Sequence, residues 1–112
     1  MAVIFVTGPL YAGKKTWVRE RLGLTEAELA ACVVWDVQNL VPAHDPEALA
    51  DELAGRRVVI ATEIGGGVVP TDSAERKKRE AAGRFSCLLA ERADTVVRVC
   101  CGLPQLLKGE WP

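Results

Sequence analysis

The stretch Gly8-Pro9-Leu10-Tyr11-Ala12-Gly13-Lys14-Lys15-Thr16 decides the fold of this 112-residue chain. Its first seven residues fit the pattern G-x-x-x-x-G-K, between the β-branched run Val3–Val6 and a helix-compatible segment. In such a loop, glycines let backbone N–H groups surround phosphate oxygens, and the helix N-terminus and the lysine add positive potential. We therefore expect residues 8–16 to bind the phosphates of GTP or ATP. The alternative is that they form only a tight strand-to-helix turn.

Two departures from the phosphate-loop pattern concern the metal and the backbone cradle. Lys15 stands where a serine or threonine hydroxyl would bind Mg²⁺. Thr16 follows one place later, and a one-residue step rotates a helical side chain by about 100°, so we do not expect Thr16 to take over. Pro9 has no N–H to donate. We expect nucleotide binding to survive these changes better than magnesium binding, and the sequence leaves open whether Lys15 supplies the charge of the metal.

Capping and termination signals predict four helices around this loop. The first extends over 14–22 and ends at Gly23, and the capping-box pattern Thr25–Glu28 opens a second, to about residue 31. Asp45-Pro46 predicts a third helix, to about residue 54. Asp72 with Glu75 predicts the start of the longest, over 73–93.

Short apolar runs predict the strands, at residues 3–6, 32–35, 58–61 and 95–101, and Gly102-Leu103-Pro104 is expected to break the last one. Strands that alternate with helices indicate a parallel sheet with right-handed crossovers. The chain length suits one domain with one modest core. We therefore predict that residues 1–112 form a single three-layer α/β domain, P-loop NTPase-like (RecA-like), with a mostly parallel sheet of about four strands.

Two carboxylates fall at predicted strand ends, where open parallel sheets bind their ligands. Asp36 follows the second strand and suits the acidic residue that holds Mg²⁺ beside a phosphate loop. Glu63 follows the third strand and precedes Gly65-Gly66-Gly67. Three glycines in a row indicate either the close approach of a ligand or another chain, or a flexible surface turn, and both interpretations stay open.

Composition restricts the other function classes. The net charge of −1 gives no broad attraction for nucleic acid or anionic membrane. The N-terminus lacks a basic signal-peptide region, and no apolar run approaches the roughly 20 residues that span a bilayer, so we expect a cytoplasmic protein. The cysteines lack zinc-site spacing and the single histidine is His44. We interpret Cys32, Cys100 and Cys101 as small core residues in a reducing compartment.

The segment Thr62–Pro70, TEIGGGVVP, closely resembles the N-E-V-G-x-G-I-V-P stretch of the adenosylcobinamide kinase/adenosylcobinamide-phosphate guanylyltransferases. The resemblance continues to Lys108 and covers about half of the chain. The family's T-G-G-x-R-S-G-K-S loop is similar to residues 7–15, of which four match: Thr7, Gly8, Gly13 and Lys14.

This resemblance implies phosphorylation of adenosylcobinamide, transfer of GMP to the product, binding of GTP or ATP with Mg²⁺, and a trimeric homo-oligomer. It implies that Lys14 stabilises charge on the phosphates, that Asp36 contacts the nucleotide and positions Mg²⁺, and that Glu63 acts near the acceptor or metal. Family members carry a guanylylated histidine between the loop and the acidic strand. Residues 15–35 contain no histidine, and His44 follows Asp36 and cannot be aligned with it.

We therefore expect a shortened, divergent member that binds nucleotide and resembles a cobinamide kinase, without histidine-dependent guanylyl transfer. The alternative is a catalytically inactive nucleotide-binding or assembly module derived from the same family. The tail residue Trp111 is expected either to cover a subunit edge or to pack back on the domain.

Overall fold

The structure, a computed structural model, describes residues 3–9, 12–38, 40, 45–63 and 73–112. Helices and strands alternate along most of the chain, in the order β1 (Ile4–Gly8), α1 (Lys14–Leu22), α2 (Glu26–Cys32), β2 (Val33–Val34), α3 (Pro46–Leu53), β3 (Val58–Thr62), α4 (Ser73–Arg92), β4 (Thr95–Cys100) and β5 (Leu103–Lys108). Within these residues no helix is both long and apolar enough to cross a membrane.

The described strands form one sheet in the order β2-β3-β1-β4-β5. The first four strands pair in parallel, β2 with β3, β3 with β1, and β1 with β4, whereas β5 pairs antiparallel with β4. The predicted fold class, a mostly parallel α/β sheet flanked by helices, is confirmed. β1 is central, so the loop that follows it leaves the middle of the sheet at the carboxyl edge of the parallel strands.

The predicted helix ends agree with the structure because they are encoded locally. Gly23 ends α1 at φ +64°, a left-handed conformation that glycine adopts without strain. Thr25 and Glu28 form the predicted reciprocal capping box at the start of α2. The Asp45 carboxylate accepts a hydrogen bond from the N–H of Ala48 at 3.1 Å and caps α3. The proposed cap at Asp72 lies outside the described residues.

Two strands differ from the sequence prediction. β2 contains only Val33–Val34, because Cys32 is still helical and Trp35 has already left the ladder. β5, which was not predicted, begins at Leu103 directly after the turn. Pro104 is tolerated there because β5 is an edge strand whose outer N–H groups need no partner in the sheet.

The core lies on both faces of the sheet because side chains alternate along each strand. On one face Phe5 packs with Phe85 and Leu89 of α4, together with residues of α3. On the other face Val6 packs with Val18 of α1, together with residues of α2. The two faces therefore hold separate helix layers, and a strand-end residue is assigned to one layer by its position in this alternation.

The expectation of core cysteines is wrong for the end of β4. Cys101 is exposed and has φ +54°, because the chain already turns there towards β5. Cys32 and Cys100 are half-buried and Cys87 is exposed. All four are free thiols.

Candidate functional site

The phosphate-loop segment is held by backbone contacts at both of its glycines. Gly8 ends β1 at φ +152°, where an added Cβ would lie 2.1 Å from the carbonyl oxygen of Val99. Gly13 has φ +87° and precedes α1 without a side-chain cap. The N–H of Gly102, in the β4–β5 turn, donates to the carbonyl of Ala12 at 2.8 Å. The loop is thus braced against β4 and the turn after it, although Leu10 and Tyr11 lie outside the described residues.

Lys14 is the first residue of α1, and its side chain turns back over the loop. The residue is only 8% exposed, and its Nζ donates to the carbonyl oxygens of Pro9 at 2.7 Å and Gly8 at 3.3 Å. Burial lowers the pKa of Lys14 below 10.5, and the negative charges of Asp36 and then Glu63 oppose this shift. A partly desolvated ammonium beside a helix N-terminus is suited to bind an anion.

A cleft of about 300 Å³ opens beside this lysine, at the carboxyl ends of β2 and β3. It brings together four of the predicted residues, Lys14, Lys15, Thr16 and Asp36. The remaining lining residues are Ala12, Gly13, Ile60 and Thr62. Asp36 is exposed and has φ +56°, a left-handed conformation that aspartate tolerates better than most residues. The cleft therefore combines two ammonium groups with one carboxylate.

The side chains of the cleft do not fit a magnesium site. Mg²⁺ prefers oxygen ligands in octahedral geometry, taken from one or two carboxylates, phosphates and waters. Lys15 removes the hydroxyl that is expected to bind the metal, and its ammonium, which repels a cation, lies 4.2 Å from the centroid of the Trp35 ring. Thr16 does reach the cleft lining, but within the described part of the chain Asp36 is the only carboxylate that lines it. Among the described residues no group of three or more acidic, histidine or cysteine side chains could hold a metal ion.

Glu63 lies outside this cleft, on the other face of the sheet. Ala61 is packed in the core beside α3 and α4, and alternation along β3 places Glu63, two residues further, on the same face. There it borders a second cavity of about 290 Å³ beside α4. Its Oε1 accepts from Nε of Arg98 at 2.6 Å, and its Oε2 accepts from Nη2 of Arg98 at 3.0 Å. These hydrogen bonds, and then the charge of Glu63, raise the pKa of Arg98.

Two residues that support the site were not predicted from the sequence. Arg98 could have been suspected from the sequence, because it is a charged residue within the apolar run of β4, TVVRVC. In the structure it stands beside Thr7 in the register of β4 with β1. Gln38 is buried, and its Oε1 accepts from the N–H of Thr62 at 3.0 Å. It joins the segment after Asp36 to the end of β3. No local sequence pattern predicts this contact, because it forms between distant parts of the chain.

Other predicted features are outside the site or outside the described residues. Gly65–Gly67 and His44 belong to the parts of the chain that the structure does not describe, so their predicted roles stay predictions. The tail packs back on α1: the Trp111 and Trp17 ring centroids are 6.5 Å apart, and the Arg21 guanidinium lies 5.9 Å from the Trp111 centroid.

Comparison with known proteins agrees with this architecture. The family model for cobinamide kinase / cobinamide phosphate guanyltransferase matches residues 17–107. The bifunctional adenosylcobalamin biosynthesis protein CobP of Pseudomonas aeruginosa is 36% identical over 101 residues, which cover 77% of this chain and 58% of the relative. The chain thus spans little more than half of this relative. The phosphate-loop residues 8–14 precede the range that the family model matches.

Proposed function

Because this chain belongs to the cobinamide kinase / cobinamide phosphate guanyltransferase family, we propose that it binds GTP or ATP through residues 8–16 and acts as a cobinamide-kinase-like phosphotransferase. The corrinoid acceptor would be adenosylcobinamide. The observation that carries the proposal is the placement of Lys14. Its partly desolvated ammonium lies over the carbonyls of the loop, at the N-terminus of α1 and beside a cleft.

The packing of Lys14 favours an anion-binding role over a purely structural one. Burying an ammonium costs free energy unless partners compensate for the lost water. Within the described residues, the Lys14 ammonium donates its hydrogen bonds to two backbone carbonyl oxygens, and burial lowers the pKa of Lys14 in spite of Asp36. A phosphate in the cleft would add a negatively charged partner to the same ammonium. A phosphate group of the nucleotide would thus compensate the charge of this lysine.

The roles of the acidic residues follow from where they lie. Asp36 shares the cleft with Lys14 and would orient the ammonium groups and the nucleotide. Glu63 lies on the opposite face, where Arg98 holds both carboxylate oxygens. We assign Glu63 to the acceptor side of the site, next to the cavity beside α4, and Arg98 to its positioning.

Guanylyl transfer through a histidine phosphoramidate is not part of this proposal. The segment 15–35, between the phosphate loop and the acidic strand, contains no histidine, and the single histidine of the chain follows Asp36. Without that nucleophile, nucleotide binding would serve only the phosphoryl transfer.

A second candidate function is an inactive nucleotide-binding or assembly module, and two observations favour it. Lys15 replaces the hydroxyl that magnesium-dependent transfer uses, and β5 exposes Leu103 and Leu107, with 72% and 52% of their surfaces accessible. Exposed apolar residues on an edge strand are suited to subunit contacts, and we propose a homo-oligomer, a trimer by the family resemblance. Light scattering of the wild-type chain and of Leu103→Lys measures the oligomer and its loss.

The decisive experiment titrates the folded chain with GTP and with ATP by calorimetry. The wild-type chain should bind one of them with micromolar affinity. Lys14→Ala should weaken binding at least tenfold, as expected for a lost charge-assisted hydrogen bond of about 1.5–3 kcal/mol. Lys78→Ala, which removes an exposed lysine of α4, is the matched control. No binding at millimolar nucleotide by a chain with native circular dichroism would refute the proposal.

A transfer assay then separates the two candidates. Phosphate transfer from labelled nucleotide to adenosylcobinamide, lost in Lys14→Ala, supports the enzyme. In a magnesium-dependent kinase that Lys15 has impaired, Lys15→Ser should also raise the affinity for magnesium–nucleotide. Nucleotide binding without transfer, in the wild-type chain and in Lys15→Ser alike, supports the inactive module.

A further inference from the structure

Lys15 stands at the border of two depressions on the surface. It lines the phosphate cleft, and it also lines a neighbouring groove of about 310 Å³ together with Trp35 and Glu26. Its Nζ lies 4.2 Å from the centroid of the Trp35 ring, so the ammonium rests on the aromatic face. Lys15 itself is exposed, and its four-carbon stem can reorient without disturbing the core.

The groove holds Lys15 less firmly than a phosphate would. Glu26 is already ion-paired with Arg19, whose Nη1 lies 3.0 Å from Oε1 of Glu26. A cation–π contact at an exposed site is weak, whereas hydrogen bonds between an ammonium and a phosphate are charge-assisted and stronger. A polyphosphate that enters the cleft would therefore attract the Lys15 ammonium from the ring.

The charges of the residues that line the cleft also favour a phosphate anion over a divalent cation. Lys14 and Lys15 contribute two positive charges, and Asp36 contributes one negative charge. A divalent cation would have to approach this excess positive charge with one carboxylate as its protein ligand. A phosphate anion instead finds the Lys14 ammonium and a helix N-terminus, with the Lys15 ammonium on the Trp35 ring of the adjoining groove.

We propose that this cleft binds the polyphosphate of its nucleotide without magnesium, because Lys15 leaves the Trp35 ring and neutralises the phosphate charge that Mg²⁺ neutralises in other phosphate loops. The inference rests on the proposed nucleotide binding and adds to it the identity of the counter-charge. Lys14 and Lys15 then act as a pair, the first fixed in the loop and the second recruited from the groove.

The test measures nucleotide affinity in EDTA and in magnesium for the wild-type chain, Lys15→Ala and Lys78→Ala. The wild-type affinity in EDTA should be at least equal to that in magnesium. Lys15→Ala should lose roughly ten- to a hundredfold in EDTA, the range expected for one charged hydrogen-bond partner. Lys78→Ala should bind as the wild-type chain does.

Tryptophan emission reports the movement of Lys15 separately from affinity. The chain has three tryptophans, so the difference between the wild-type chain and Trp35→Phe isolates the signal of Trp35. Nucleotide in EDTA should change this signal, because the ammonium leaves the ring. The same nucleotide should leave the Trp35 signal unchanged in Lys15→Ala.

Three results would overturn the inference. If the wild-type chain binds nucleotide only with magnesium, or if Lys15→Ala binds in EDTA like Lys78→Ala, the counter-charge is wrongly assigned and the proposed function stands. If the folded wild-type chain binds no nucleotide with or without magnesium, the proposed function fails together with the inference.

Discussion

Replacing Gly8 by alanine tests whether the close approach of β1 to β4 shapes the phosphate loop. Gly8 combines two constraints: its φ of +152° is rare for side-chain-bearing residues, and an added Cβ would lie 2.1 Å from the backbone oxygen of Val99. That oxygen cannot move freely, because Val99 is fully buried and pairs with Pro104 of β5. We expect Gly8→Ala to push β1 away from β4 and to open the loop at its first residue.

The expected loss in the free energy of unfolding is the sum of the costs of the two constraints. An unfavourable backbone conformation costs about 1–3 kcal/mol, and overpacking a tight site typically costs about 1–3 kcal/mol more. We therefore expect Gly8→Ala to lower the free energy of unfolding by about 4 kcal/mol. Domains of this size unfold with roughly 5–15 kcal/mol, so the variant should keep only a fraction of its stability. The thermal midpoint should fall on the order of 15 °C.

Two further glycines separate the constraints. Gly23 has φ +64° and no atom within 4 Å of an added Cβ, so Gly23→Ala carries the backbone cost alone, about 1–2 kcal/mol. Gly83 lies within α4 with open space around it, and Gly83→Ala should raise stability by roughly 0.5–1 kcal/mol through helix propensity. Urea unfolding followed by circular dichroism ranks the three. Equal midpoints for Gly8→Ala and Gly23→Ala would refute the argument from close approach.

Three other predictions concern charges and caps. Because the pKa of Lys14 is lowered in the folded chain, nucleotide affinity should fall as pH rises through a midpoint below 10.5. The free energy of unfolding should rise with pH between that midpoint and 10.5, because the unfolded chain binds more protons than the folded chain in this range. Asp36→Asn should move this midpoint, read by calorimetry at several pH values, further down than Glu63→Gln does; the opposite order would contradict the assigned causes. Arg98→Met should barely change the thermal midpoint, because both side chains of the Arg98–Glu63 ion pair are over a third exposed. The same variant should slow phosphate transfer if Arg98 positions Glu63, and an unchanged transfer rate would exclude that role. Asp45→Ala should cost about 1 kcal/mol in urea unfolding, and Asp45→Asn, which can still cap, much less.

The elements that the sequence predicts well are those whose signals are local. The end of α1 at Gly23 and the capping box at Thr25 each involve neighbouring residues, and both agree with the structure. β5 was missed because its formation depends on pairing with β4, which no pattern within Leu103–Lys108 reveals. Pro104 even points against a strand, and only its edge position makes it acceptable.

The candidate site was predictable to the level of the sheet edge and no further. The rule that ligands gather at the carboxyl ends of parallel strands placed Lys14 and Asp36 together, and they share one cleft. The rule does not distinguish the two faces of the sheet, so it grouped Glu63 with them as well. Alternation along β3, with Ala61 buried towards α4, contains the information that Glu63 belongs to the other face. The contact of Lys15 with Trp35 joins two segments and could not be predicted from either.

The glycines and the lysine of the phosphate loop differ in what they imply about function. Gly8 is required by its contact with Val99. Gly13 has φ +87°, and a Cβ added to it would lie 3.5 Å from the Cα of Gly102. Both residues would be needed in a loop that binds nothing, Gly8 because of its close approach to Val99 and Gly13 because of its positive φ. Lys14 has no such reason, since an apolar side chain would fill its place on α1 without the cost of burying an ammonium. Lys14 is therefore a stronger indication of nucleotide binding in this chain than the glycines that make the motif recognisable.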